Sequence, residues 1–211
     1  MSYKKLTVII DAGHGGIIDQ NYVTPGKRSP MWKDGSILYE GVFNRDVAEY
    51  LTEYFKRDGI EYIYLDSNHD IPLEQRTKIY NSLYELYPNC LLISIHSNAA
   101  QQESAHGFEI YTSPGQTNSD KFADVWAAQF NVNYPSFKLR EDKTDGDHDK
   151  EANFWVLTQV KMPAVLIEHG FMTNEAECRN VLMNESFRMG FAKTIYDCVK
   201  KSESLLFPPL P

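Results

Sequence analysis

Cysteine is scarce in this chain: 211 residues carry three, Cys90, Cys178 and Cys198, with no CxxC pair among them. So odd and sparse a set offers no disulfide framework, and all three are expected as free thiols of a chain made in a reducing compartment. Long apolar runs are missing as well. Nothing reaches the roughly 18 residues of a membrane span. The run after Lys4 and Lys5 stops at Ile10, before Asp11, short of an export-signal core of roughly 7–15 residues. Positive charge is in deficit: 21 Lys and Arg against 29 Asp and Glu leave a net charge of −8. Such a surface repels phosphate backbones and anionic lipid, which sets nucleic acid and membrane aside as partners. Repeats and low-complexity tracts are also lacking.

What remains is ordinary globular material. Hydrophobic residues make up 42% and charged residues 24%, enough for a sizeable core, and the length fits one domain. Leu6–Ile10, Cys90–Ile95 and Ala164–Ile167 are short, nearly unbroken apolar runs rich in β-branched residues, as expected of strands buried on both faces. Between them, Phe43, Val47, Leu51 and Phe55 recur at helical spacing, as do Phe122, Trp126 and Phe130. A helix from about Glu40 is expected to stop at Asp58-Gly59, a strand to follow over Ile60–Leu65, and a second helix to span Pro72–Leu86. Phe108–Tyr111 and Phe154–Leu157 read as further strands, and Asn174 to about Lys201 as one or two closing helices. The expected fold class is therefore α/β: a single domain with an open, twisted, mostly parallel sheet of about six strands covered by helices on both faces.

Ile17–Tyr39 and Val132–Glu151 lack any period and are candidate walls of a groove. The tail Leu205–Pro211 is too rich in proline to continue a helix.

Polar residues follow the three buried runs: Asp11 and His14 the first, His96 the second, Glu168 and His169 the third. In open α/β sheets ligands bind beyond the carboxyl ends of the strands, so these side chains should converge. Two imidazoles and one carboxylate form a common catalytic zinc shell. His14 and His96 supply the nitrogens, and Glu40, opening the first helix, supplies the carboxylate. Glu168 is left free to act as a base. Gly13-His14-Gly15-Gly16 is no dinucleotide loop, because position 18 is isoleucine where the third glycine belongs. His69, His106 and His148 are adequately explained as solvated surface residues, and strand alternation turns His169 away from Glu168, into the layer behind the sheet.

The segments VIIDAGHGG (8–16), Glu40 with Asn44, SIHSNA (94–99), NFWVL (153–157) and MPAVLIE (162–168), in that order, resemble the zinc-dependent N-acetylmuramoyl-L-alanine amidases of the amidase-3 family. GFEIY (107–111), LEQR (73–76) and Gly170-Phe171 with Asn174 resemble further family segments. The loop from His14 to Glu40 is long for that family, and His169 stands where an apolar residue is common. The resemblance implies hydrolysis of the amide between N-acetylmuramic acid and L-alanine of peptidoglycan stems. It implies one Zn2+ per chain on His14, Glu40 and His96, with Glu168 as general base and acid. It also implies an amidase catalytic domain over 1–203 and a Pro-rich tail over 204–211.

Asn98, Asn153, Trp32 and Arg28 are the candidate substrate contacts. Tyr22, Trp32 and Tyr39 with Lys27, Arg28 and Lys33 suit sugar rings and peptide carboxylates, or else pin their loop to the domain. The expected partner is peptidoglycan, met by a monomer without tight wall anchoring. With no export signal in view, the chain fits an enzyme held in the cytoplasm until lysis or release, or a truncated piece of an exported one. Two other functions compete: a non-haem Fe(II) oxygenase, whose facial triad is also two histidines and a carboxylate, and a non-catalytic peptidoglycan-binding module.

Overall fold

The structure is a computed structural model that describes residues 5–144 and 146–207. Its first half runs β1 (Thr7–Ala12), the hairpin of β2 (Ile17–Ile18) and β3 (Asn21–Tyr22), α1 (Glu40–Asp58), β4 (Glu61–Tyr64), α2 (Leu73–Leu86) and β5 (Cys90–Asn98). Then come β6 (Glu109–Thr112), α3 (Asn118–Asn133), β7 (Lys150–Glu151), α4 (Trp155–Thr158), β8 (Ala164–Phe171), α5 (Glu175–Glu177), a π turn (Cys178–Leu182) and α6 (Glu185–Leu206). Six strands form one sheet in the order β4-β1-β5-β8-β6-β7, with β4, β1, β5 and β8 parallel and β6 antiparallel to β8. The expected fold class is the one observed.

Alternation along the central strands assigns their side chains to two layers. Val8, Ile10, Leu91, Ile93, Ile95, Val165 and Ile167 face the larger core cluster, shared with α1, α3 and α6. Ile9, Leu92 and Leu166 face a smaller cluster with Tyr80 of α2 and with Val156 and Leu157 of α4. Burial on both faces explains why these strands are apolar at every position. In α1, Phe43, Val47, Leu51 and Phe55 form one buried stripe, and Gly59 ends the helix in the left-handed conformation (φ 64°). Cys90, Cys178 and Cys198 are buried free thiols, as expected. No helix among the described residues is long and apolar enough to cross a membrane.

Two local expectations need correction. Phe154–Leu157 is no strand: Phe154 caps a single helical turn whose Leu157 and Thr158 N–H groups donate to its carbonyl. Phe154 and Trp155 are exposed while Val156 and Leu157 are buried, a pairing of neighbours that strand alternation forbids. At the other end, α6 continues through Leu205 and Leu206. The break falls at Phe207, because a residue followed by proline is driven out of the helical region. Pro208–Pro211 lie outside the described residues.

Asp11, 2% exposed, anchors the sheet under its carboxyl edge. It accepts from Arg76 Nη1 (2.6 Å), Tyr80 OH (2.6 Å) and Ser94 Oγ (2.7 Å). Burial pushes its pKa up, but the Arg76 guanidinium with the Ser94 and Tyr80 hydroxyls outweighs burial and holds it below the usual carboxylate range. A group more acidic when folded stabilises the fold above its unfolded pKa of about 3.9, and that contribution disappears as pH falls through the lowered value. Asp11→Asn, which leaves Arg76 buried without its counter-charge, is expected to cost about 3 kcal/mol in urea unfolding at pH 7 and to flatten the acid limb of stability. A loss under about 1 kcal/mol with an unchanged acid limb would contradict this account.

Candidate metal centre and groove

Parallel pairing fixes where the polar residues end up. Ala12 at the end of β1 is level with Ile95, and His96 is level with Glu168. His14 follows β1 by two residues, and Glu40 is the first residue of α1. Three carboxyl ends and one helix start therefore meet along one edge.

There His14 Nε2 lies 3.3 Å and His96 Nδ1 3.0 Å from the same Glu40 Oε1, with the two rings edge to face at 5.1 Å. The three donor atoms all lie within 4.8 Å of one another. Separations near 3.3 Å are what a tetrahedral ion with arms of about 2 Å demands of its donors. Burial opposes the charge on Glu40, but hydrogen bonding and attraction from His14 and His96 prevail and hold its pKa far below the usual range. Burial likewise opposes the charge on His96, yet Glu40, hydrogen-bonded to it, carries its pKa upward. The donor set thus has the charge and spacing that suit a divalent cation.

The backbone is shaped to bring these groups together. A Cβ on Gly13 would fall inside the His96 ring, so only glycine admits the imidazole there. His14 itself takes a left-handed backbone (φ 65°), uncommon for a residue with a side chain. Asn44 Nδ2 donates to Gly13 O (2.9 Å), and Arg45 donates to the carbonyls of His14 (2.7 Å) and Gly41 (2.7 Å), tying the loop to α1.

Glu168 stands beside this triangle in an open groove of about 940 Å3, and its Oε2 is buried with no hydrogen-bond partner among the described residues. Burial raises its pKa to about 7. His96 and Lys27 pull the other way, while the Glu40 and Glu109 charges add to the rise. Glu109 is the cross-strand neighbour of Glu168 and accepts from Asn98 (2.7 Å), Tyr111 (2.8 Å), Arg140 (2.6 Å) and Lys150 (2.7 Å).

His169 turns behind the sheet as alternation requires, between Phe43 and Phe191, where burial lowers its pKa to about 4. Its Nδ1 donates to His96 O (3.2 Å), but its Nε2 has no partner among the described residues. His69 and His106 are exposed, and half-buried His148 contacts Asp124 and Glu141.

Of the candidate substrate contacts, Asn98 lines the groove, though its amide is already bonded to Glu109 and to Ala99 N. Asn153 is exposed and lies outside the groove lining, which begins at the next residues, Phe154 and Trp155. Trp32 packs against the main core, and Arg28 donates to the neighbouring Ser29 carbonyl; both also lie outside the lining. Arg45 and Glu109 organise the site, but only Glu109 carries a signal in the sequence, a charge inside the apolar stretch GFEIY, whereas Arg45 lies between Asn44 and Asp46 and looks like an ordinary polar helix position.

Comparison with known proteins agrees with this architecture. Residues 8–201 match the family described as N-acetylmuramoyl-L-alanine amidase. An N-acetylmuramoyl-L-alanine amidase from Clostridium difficile 630 superposes with a TM-score of 0.76 at 27% identity, over 95% of this chain and 97% of that one. The uncharacterized protein YqiI of Bacillus subtilis is 29% identical, over 90% of this chain and 81% of its own length. N-acetylmuramoyl-L-alanine amidase LytC of Bacillus subtilis is 27% identical over 90% of this chain, which spans only 34% of LytC. With the family matched over almost its whole length, this chain belongs to the N-acetylmuramoyl-L-alanine amidases, enzymes of the cell wall.

Proposed function

We propose that the groove hydrolyses the amide joining N-acetylmuramic acid to L-alanine in peptidoglycan stems, using one zinc ion held by His14, Glu40 and His96 and a proton relay through Glu168. The observation that carries this reading is the buried Glu168 oxygen, without a partner among the described residues, beside three converging donors in the same groove. A zinc ion in that position supplies Lewis-acid polarisation of a carbonyl and a lowered pKa for coordinated water.

The remaining work falls to side chains of this chain. Glu168 Oε2 accepts a proton from the attacking water and delivers it to the departing amine nitrogen, a role that needs an acid whose pKa lies near neutrality. Glu40 supplies negative charge to the cation without taking up the proton, because its own pKa is held so low. Phe154 and Trp155 line the groove, are exposed, and give a sugar or peptide apolar surface to lie on.

Two outcomes follow. Chelation followed by dialysis is expected to abolish release of a new alanine amino terminus from purified muropeptide, and zinc to restore it at one equivalent per chain. Full activity after complete removal of metal would exclude the reading, and recovery with iron alone, accompanied by oxygen uptake, would point to oxygenase chemistry instead. Glu168→Gln is expected to keep its metal while kcat falls by about 10²–10⁴-fold. A variant within a few fold of the parent enzyme, or one that loses its zinc, would remove Glu168 from the proton relay.

A further inference from the structure

One cation of the groove lining, Lys27, is exposed and acts on Glu168 only through its charge. Lys27 belongs to the long loop before α1, and its carbonyl accepts from Glu40 N (3.0 Å) and Tyr22 OH (2.9 Å). The residue is thereby fixed to the start of the helix that carries a metal donor, and its side chain lines the groove near Glu168. Among the described residues the ammonium has neither an ion-pair partner nor a hydrogen-bond acceptor. Arg76, the other cation of the lining, is bonded to Asp11 and to the Ile71 carbonyl. The chain carries −8 overall and the lining includes Glu40, Asp70 and Glu168. In those surroundings an exposed cation on a fixed backbone, sharing the groove with Glu168, is suited to receive negative charge from a ligand.

We propose that Lys27 is a specificity residue that recognises a free carboxylate on the stem residue following L-alanine, so that stems carrying the amide at that position are poorer substrates. The inference rests on the amidase reading above, whose substrate is a peptide with such a carboxylate close to the scissile bond.

The test uses two muropeptides that differ only at that group, carboxylate in one and primary amide in the other. The unmodified enzyme is expected to show a KM about tenfold lower for the carboxylate, with similar kcat, and the advantage should shrink as salt is raised. Lys27→Met should raise KM for the carboxylate substrate to that for the amide, and Lys27→Arg should restore most of the difference. Equal KM values for the parent enzyme, an equal rise on both substrates in Lys27→Met, or a change confined to kcat would each overturn the assignment. Failure of the parent enzyme to cleave either substrate would overturn the amidase reading, and this inference with it.

Discussion

A single carboxylate oxygen facing two imidazole nitrogens, at 3.0 and 3.3 Å, is the constraint around which the carboxyl edge of the sheet is organised. Glu40 is only 3% exposed, and an isolated charge so deeply buried costs several kcal/mol. It is tolerable only where partners can reach it, and the fold brings two of them in and ties one of their supports in place. Parallel pairing of β5 with β1 and β8 places His96, the glycine-rich turn after β1 places His14, and Arg45 ties that turn to the helix that Glu40 opens. Loosening any one of these supports leaves the charge unbalanced.

Much of this was legible in the sequence. The central strands could be read because a strand covered on both faces has few polar positions, and the donors because two of them follow those runs and the third, Glu40, opens a helix. The turn at Trp155 escaped because four apolar residues are too few to reveal a period. Side chains whose partners are remote could not be located either. Arg45 bonds the His14 carbonyl, 31 positions away, and Glu109 gathers Arg140 and Lys150 from 31 and 41 positions along the chain. Trp32, an aromatic residue in a polar loop, reads equally as a ligand contact or as an anchor, and only tertiary packing sets it against the core.

The pairing of β5 with β8 contains a further device. Their register shifts between His96 and Asn98, where Gly170 adopts φ 75°. At that irregularity the His169 ring bonds the His96 carbonyl, a side chain taking the part of a backbone donor. His96 and Glu168 thus stay abreast, and pairing resumes one residue out of step with Asn98 opposite Phe171, where Met172 N donates to Asn98 O (2.8 Å).

The two layers of the core are unequal, and the groove borders the thinner one. Leu73 and Arg76 from α2, with Phe154, Trp155 and Val156 at α4, line it from the side of the small cluster, whereas α1, α3 and α6 close the large one. Local opening follows the number of apolar contacts that must be broken, and fewer of them hold this rim than hold the opposite layer. Compliance is thus distributed unevenly across the sheet, greater on the flank that borders the groove than on the flank that α1, α3 and α6 close.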